Sequence, residues 1–431
     1  MSSNFLSVGI DVGSAFSFMS IVNPSGNLVF KPFKILHNDP DSLKRAASAI
    51  KKAEELESKK SLIFLESTGI YHIPLFCYLS ELGFDVSIIN PLITHSIKNI
   101  DIRKVKNDRL DSISIAKLGL TPNLKCSKLP AKLVLELRYL TRKYYDLTDE
   151  RAAHIIKMKG DLHVVFPQYL DCFPQIAGKT SLMLLDEYGS PNRLLRAHRD
   201  ALIEKISKAS RKGLRASTER YEFLMTAAKA AKVFSCQIDS IYFNIHTTIG
   251  LIRNLDMAIA SILNQIHSIV DQHADELLIQ QVLWLQSIPG IGFLSAVTIM
   301  CEIGDFSVFK SPKQLFAYFG MDPAVKESGK FKATSVHMSK RGSRIARRAI
   351  FAAALACIRK KRNGEALQPY LYEYYQQKSV SKPKMVALGA IMHKVCNIIF
   401  AVLRDQKSFE LRSPAAHRTT YVPPVRLSQV A

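Results

Sequence analysis

From residue 6 to residue 90 the apolar positions come in short runs, bounded by turn-forming residues and too brief for amphipathic helices. Leu6-Ser-Val-Gly-Ile-Asp-Val12 predicts a buried strand that ends on Asp11, with Gly13 and Ser14 following. Residues 18–22 and 28–33 continue as strands around an Asn23-Pro-Ser-Gly26 turn. Residues 42–58 have helical composition, and Ser61-Leu-Ile-Phe-Leu-Glu66 is a further strand ending on an acid. A helix over 72–82 and a strand over 84–90 come next. In the run 103–117, Leu110, Ile113, Ile115 and Ala116 suit the buried side of a helix. Asp108 and Asp111, three residues apart, then share a face and point at one spot.

The period changes beyond residue 130. Leu133, Leu137, Leu140, Tyr144, Leu147, Ile155, Met158 and Leu162 form one series of steps of about three and four; Ile238, Ile241, Ile245, Ile249, Ile252, Leu255, Ile259, Ile262, Ile266 and Ile269 form another. Such spacing describes a coiled-coil seam that would join subunits, or two long helices packed inside one subunit. Between them, 166–217 is broken by Pro167, Pro174 and Pro191 and reads as a linker or small subdomain. From 286 the chain is helical again. Ser287-Ile-Pro-Gly-Ile-Gly292 before an apolar helix over 293–303 resembles the hairpin of a helix-hairpin-helix motif, where Gly290 and Gly292 would let backbone N–H groups approach a phosphate. A Pro-Gly turn between helices is the plain alternative. After about residue 407 the tail, with Pro414, Pro423 and Pro424, is expected to be disordered. The expected organisation is α/β followed by all-α: 1–125, a helical coiled-coil or linker region over 130–285, a C-terminal helical domain over 286–408, and a tail over 409–431.

Composition changes the picture in one respect. The 431 residues are ordinary in hydrophobic content, at 47%, but carry a net charge of +22. A surplus of that size calls for a polyanion, of which nucleic acid is the commonest. The charge is concentrated: between 326 and 362 stand twelve lysines and arginines against Glu327 alone. Within that block Lys330, Lys340, Arg341, Arg344, Arg347 and Arg348 are the candidate phosphate contacts. No apolar run is expected to reach the roughly 20 residues of a membrane span. The N-terminus lacks the layout of a signal peptide, and the seven scattered cysteines form no CxxC pair. Those features argue against structural zinc and disulfides and suit a reducing cytoplasm.

The acids supply the chemistry. Asp11 and Glu66 at strand ends, with Asp108 and Asp111 on a helix face, are four carboxylates that can be aimed at one place. Converging carboxylates repel unless a cation sits between them, and an all-oxygen set favours Mg²⁺ over zinc. Individually, Asp11 before Gly-Ser could be a turn former and Glu66 before Ser-Thr-Gly a cap. Gly9-Ile-Asp-Val-Gly-Ser14 also resembles the first phosphate loop of actin-like ATPases and sugar kinases, but their further glycine loops are missing downstream.

The order of strands and helices resembles the ribonuclease-H-like fold of the RuvC type, in which acids occupy these positions. Together with Pro-Gly-Ile-Gly, Ser328-Gly329, Met338-Ser-Lys-Arg-Gly-Ser and Lys382-Pro-Lys-Met-Val-Ala-Leu, it resembles one family. That family is the DEDD transposases of bacterial insertion sequences, related to Piv-type DNA invertases and including bridge-RNA-guided recombinases. The resemblance spans about 5–120 and 285–405. It implies two Mg²⁺ ions held by Asp11, Glu66, Asp108 and Asp111, and a nucleophilic serine, here Ser328, that becomes linked to DNA. Ser335 and Ser339 are rivals for that role. It also implies donor and target duplex DNA, a structured guide RNA, a dimer or tetramer with a shared active site, and a cytoplasmic, nucleoid-associated location. A RuvC-like nuclease or junction resolvase using water, and a non-catalytic nucleic-acid-binding protein, are the competing readings.

Overall fold

The computed structural model describes residues 4–67, 69–89, 94, 107–122, 124, 126–323, 327–328, 331–332, 337–413 and 415–416. The chain divides into two compact units, 1–131 and 132–431.

The first unit is a mixed α/β domain. Its strands are β1 (Leu6–Val12), β2 (Phe16–Val22), β3 (Leu28–Leu36), β4 (Ser61–Glu66), β5 (Asp85–Ile89) and β6 (Cys126–Ser127). They form one sheet in the order β3-β2-β1-β4-β5-β6. The β1–β2–β3 meander is antiparallel, β4 and β5 run parallel to β1, and β6 closes the edge antiparallel. Helices α1 (Pro40–Glu57), α2 (His72–Glu81) and α3 (Asp108–Gly119) complete the unit. Alternation along β1 sorts its residues: Leu6, Val8, Ile10 and Val12 enter one core with Ile50 of α1 and Leu75 of α2, while Ser7, Gly9 and Asp11 take the other face, under α3. Leu62 and Phe64 of β4 meet Ile115 and Leu118 of α3 on that same face. Two positions of the expected buried side of α3 need correction, since Leu110 is exposed, Ile113 is only partly buried, and the face on the sheet is Ser112, Ile115, Ala116, Leu118 and Gly119. The close approach is local to Gly9, Ser112 and Ala116, while Ile115 and Leu118 pack beside it and Leu110 falls on the opposite side of the helix.

The second unit is helical: α4 (Lys132–Val165), α5 (Tyr169–Cys172), α6 (Lys179–Tyr188), α7 (Pro191–Leu195), α8 (Arg199–Ser210), α9 (Leu214–Val233), α10 (Asp239–Gln272), α11 (Leu277–Gln286), α12 (Phe293–Ile303), α13 (Pro312–Tyr318), the short hairpin β7 (Glu327–Ser328) and β8 (Phe331–Lys332), α14 (Arg344–Cys357), α15 (Pro369–Ser381) and α16 (Lys384–Asp405). The two 34-residue helices α4 and α10 pack on each other within the chain. The expected seam is used in two pieces. Ile245, Ile249 and Ile252 join Met158 and Leu162 in a core shared with α5–α9, so the region expected as a linker or small subdomain is the second of these, a packed helical layer. Ile266 and Ile269 join Leu133 and Leu137 in the larger core of α11–α16. Between the two cores, residues 253–265 contain no buried side chain.

α16 departs from expectation: it is long and apolar enough to cross a membrane, and more than half of its apolar stretch is buried inside this unit. Ile391, Val395, Ile399 and Leu403 line the larger core, which accounts for the composition. The expected tail starts with residues that pack, because the Phe409 N–H donates to Ser287 Oγ at 2.6 Å.

The joint between α4 and α12 is ionic. Arg142 grips Glu302 through both nitrogens, at 2.7 and 2.9 Å, and the carboxylate is 3% exposed. Arg138 donates to the Cys301 carbonyl at the end of α12, where a cation also suits the helix dipole. Burial pushes the Glu302 carboxyl upward, but the Arg142 hydrogen bonds and charge outweigh it and hold it below the ordinary value. Its contribution to stability is therefore present above the unfolded carboxyl range and lost as pH falls through the depressed folded value. Arg142→Met should cost about 1–3 kcal/mol at pH 7 by leaving the Glu302 carboxylate without its partner, a figure moderated by the solvent exposure of Arg142. Urea denaturation should show the deficit shrinking as pH falls through the variant's carboxyl value, which burial alone raises above the ordinary range, and levelling off below the depressed wild-type value. A deficit constant with pH would exclude this assignment.

A candidate acidic metal centre

Asp11 is the penultimate residue of β1, and Asp108 and Asp111 occupy the first turn of α3. Asn107 starts that helix, its side-chain oxygen accepting from the Arg109 N–H at 3.0 Å, and acids in a first turn suit the positive end of the helix dipole. What brings strand and helix together is the absence of side chain. A Cβ on Gly9 would sit 2.2 Å from the Ala116 nitrogen and 2.4 Å from the Ser112 carbonyl oxygen. Around this contact, Ser7 Oγ donates to the Ala116 carbonyl at 2.6 Å, and the Ser20 and Ser112 hydroxyls meet at 2.6 Å. Small polar residues thus hold α3 directly on the strands, with bonds that satisfy their buried hydroxyls.

The result is a convergence of carboxylates. One oxygen from each of Asp11, Asp108 and Asp111 lies within 4.8 Å of the other two, and all three residues are half-buried. Three negative charges at that separation, on oxygen-only ligands, fit a hard divalent cation. Glu66 is one strand away. Leu65 pairs with Ile10 in parallel register, and Glu66 follows Phe64 on the α3 face by alternation, so it stands beside Asp11 on the sheet. It is buried, and it lies outside the 4.8 Å group.

The second unit holds the other predicted residues. Ser328 is in β7, paired in register with Phe331 of β8. Lys330 and Ser335 lie outside the described residues. The segment that carries Ser328 is pinned at its base, where the Pro323 and Met338 strands bridge. There Ser339 Oγ donates to Asp322 at 2.5 Å, and a Cβ on Gly342 would lie 2.1 Å from the Tyr318 carbonyl oxygen. Ser339 is thus engaged in holding this base.

Of the basic candidates, Lys340 and Arg341 are exposed. Arg347 donates to the Phe319 and Gly342 carbonyls, a tie across the same crossing. Arg344 and Arg348 both pair with Asp149 of α4, at 3.1 and 2.6 Å, and Arg348 lies over the Tyr145 ring. Asp149 was not legible as their partner, being 195 residues away from Arg344. In the Pro-Gly-Ile-Gly turn, Gly292 is the exposed N-cap of α12. Gly290, at φ 103°, faces α14 instead, where a Cβ would meet Cys357 Sγ at 2.7 Å. Its need for glycine is met by internal packing.

Comparison with known proteins gives two family matches. A family model described as transposase, of the DEDD type, matches residues 8–167, a span holding all four candidate acids. A second, described as transposase IS116/IS110/IS902 family, matches residues 283–376, which include Ser328 and the basic block. The chain is 25% identical over 416 residues to the uncharacterized 43.6 kDa protein of insertion element IS110 from Streptomyces coelicolor, covering 95% of this chain and 96% of that one. It is 26% identical over 195 residues to the transposase for insertion sequence element IS1111A from Coxiella burnetii, covering 44% and 52%. With the pilin gene-inverting protein of Moraxella bovis it shares 33% identity over 130 residues, 30% of this chain and 38% of that protein.

Gly9→Ala should separate α3 from β1. We expect about 1–3 kcal/mol of lost stability in urea, and divalent-metal affinity weakened at least about tenfold by calorimetry, since misplaced ligands bind poorly. Wild-type affinity in a folded Gly9→Ala protein would remove the clamp from the account.

Proposed function

The chain belongs to the IS110/IS116/IS902 family of transposases, enzymes of DNA strand transfer, and on that footing we propose that it cuts and rejoins DNA through a serine-linked intermediate with Mg²⁺ at its acidic centre. The observation that carries the reading is the convergence of Asp11, Asp108 and Asp111 within 4.8 Å. Glu66, buried on the adjoining strand, is assigned as the fourth carboxylate of a RuvC-like set. These four would hold two Mg²⁺ ions; when bound, such ions supply charge stabilisation to the attacking and departing oxygens of a phosphoryl transfer.

Ser328 is assigned as the nucleophile. Its hydroxyl gives up a proton and forms an ester bond to a DNA phosphorus, one P–O bond of the strand breaks, and the released strand oxygen takes a proton. Rejoining reverses the step with a different strand end. The glycine after Ser328 leaves room for a backbone phosphate to come close. Exposed Lys340 and Arg341, with Lys330, are assigned to neutralise phosphate charge. Arg344 and Arg348, each tied to Asp149, would exchange an internal partner for a phosphate on binding.

Among the relatives, one is named as the transposase of an insertion sequence and another as a gene-inverting protein, and both names accord with this reading. The partners we assign are donor and target duplex DNA, further copies of the chain, and a structured RNA that would read sequence by base pairing while the protein holds backbone and shape. The Pro-Gly-Ile-Gly turn is assigned as a helix-hairpin-helix-like phosphate contact through Gly292, and the site of action is the cytoplasmic nucleoid.

The test is strand chemistry on labelled DNA. Wild-type protein with Mg²⁺ should give an SDS-stable protein–DNA adduct. Ser328→Ala should bind DNA within about twofold of wild type and form no adduct. Asp111→Asn should lower the cleavage rate by about 100-fold or more, as loss of one electrostatic contributor does. Unchanged cleavage by Ser328→Ala would assign water as the nucleophile, and full activity in a folded Asp11→Ala variant would remove the acids from catalysis.

A further inference from the structure

Beside the larger helical core lies a half-open pocket of about 610 Å³, bordered by the start of α15, one side of α16 and the packed segment 407–412. It contains two polar atoms with nothing to bond. Gln368, only 2% exposed, presents Nε2 without a partner, and Asn397 on α16 presents a buried Oδ1 without a partner. Gln368 stands at the N-cap of α15 and makes no capping bond, so its amide is left to the cavity. Buried amide groups in folded proteins are nearly always satisfied, and two unsatisfied ones lining the same space ask for an occupant that donates and accepts.

The rest of the lining narrows the chemistry. Tyr370 and Phe409 bring aromatic rings. Lys394 and Lys407 bring positive charge, and neither makes an ion pair among the described residues. By contrast, Arg404 is paired with Asp405, and Arg412 with Glu410, within the same lining. A volume in the few-hundred to 1,000 Å³ range suits a small organic ligand. A flat ring with one hydrogen-bond donor beside one acceptor, stackable on an aromatic side chain and carrying a phosphate for the lysines, is a nucleotide.

We propose that this cavity is a nucleotide pocket that receives a single unstacked base, read by the Gln368 and Asn397 amides, with its phosphate held by Lys394 and Lys407. Its lining shares no residue with those assigned to strand chemistry, and it takes from the proposed function only that nucleic acid is a partner. The base comes from an unpaired position in a bound strand or from a free mononucleotide, and the two sources present the same edge and phosphate.

The test uses the full-length protein without Mg²⁺, so that strand chemistry plays no part. The probes are AMP, inorganic phosphate, and a duplex carrying one unpaired 2-aminopurine, whose fluorescence rises when it leaves the stack. The expected result is saturable binding of AMP or of the 2-aminopurine duplex, weakened about tenfold or more by Gln368→Met and by Asn397→Leu, the scale of one lost amide-to-base contact. Both variants should bind a fully paired duplex as wild type does and should unfold at the same urea concentration or higher, since each removes an unsatisfied polar group. A fluorescence rise with the duplex, competed by AMP, supports the polymer as source; AMP binding alone supports a free nucleotide. If Gln368→Met fails to fold, Asn397→Leu carries the comparison. Inorganic phosphate competing as well as AMP, or variants that bind both probes as wild type does, would overturn the proposal and leave a cavity filled by ordered water. A protein that binds no duplex yet takes AMP in an amide-dependent way would separate the pocket from the recombination reading.

Discussion

A helix resting on a strand with no side chain between them is the constraint on which the acidic centre depends. At Gly9 the backbone of β1 meets the backbone of α3, closer than any Cβ would permit. Hydroxyls take the place of apolar packing around that contact, through Ser7 to Ala116 and Ser20 to Ser112. The arrangement sets the height of α3 above the sheet, and thereby the distance from Asp11 to Asp108 and Asp111. Carboxylates on flexible loops would relax away from one another. Here the two helical acids are held by an N-capped first turn, and the strand acid by pairing on both sides of β1. The backbone spends its rigidity on opposing the repulsion of three like charges, a state that a divalent cation relieves.

The helical unit solves a different problem with different means. Its long helix pair anchors two cores, and at the α4–α12 joint an exposed arginine caps a buried glutamate beside the larger core. Near that joint, Tyr318 donates to the Glu302 carbonyl, and the glycine crossing at 320 and 342 follows directly in the fold. Beside this crossing Ser339 bonds Asp322, and Arg347 ties Phe319 to Gly342, on either side of the chain that carries Ser328. Several basic residues that look like phosphate contacts in sequence are thus also structural ties. Charge and architecture share the same arginines, and Asp149 sets which of them are engaged within the chain.

Much of the α/β unit was legible in the sequence because its strands are short, apolar and bounded by turns: β1 and β4 fall where the pattern puts them, β4 ending on Glu66 and β1 one residue past Asp11. The pairing of Asp108 with Asp111 followed from helical spacing alone. Leu110 did not, because an apolar residue on a helix gives no account of how near the helix lies to its sheet. A glycine inside a strand was the available signal for that close approach. The convergence of Asp11 with α3 spans about a hundred residues and needed the sheet order. In the helical unit, the isoleucine series of α10 announced its helix but not its partners, since the same spacing serves a subunit interface and an internal pair. The apolar run of α16 was similarly ambiguous, and only its neighbours explain it. The unpaired amides of Gln368 and Asn397 left no trace in sequence at all, for satisfaction of a hydrogen bond is a property of surroundings.

The central claim is that three aspartates, set by the α3–β1 contact, form a divalent-cation site. The most direct measurement is anomalous X-ray scattering from crystals of the protein grown with Mn²⁺ in place of Mg²⁺. The account predicts a peak bound by carboxylate oxygens of Asp11, Asp108 and Asp111 at about 2.0–2.2 Å. Saturating Mn²⁺ with no peak among those three side chains, their positions unchanged, would contradict it.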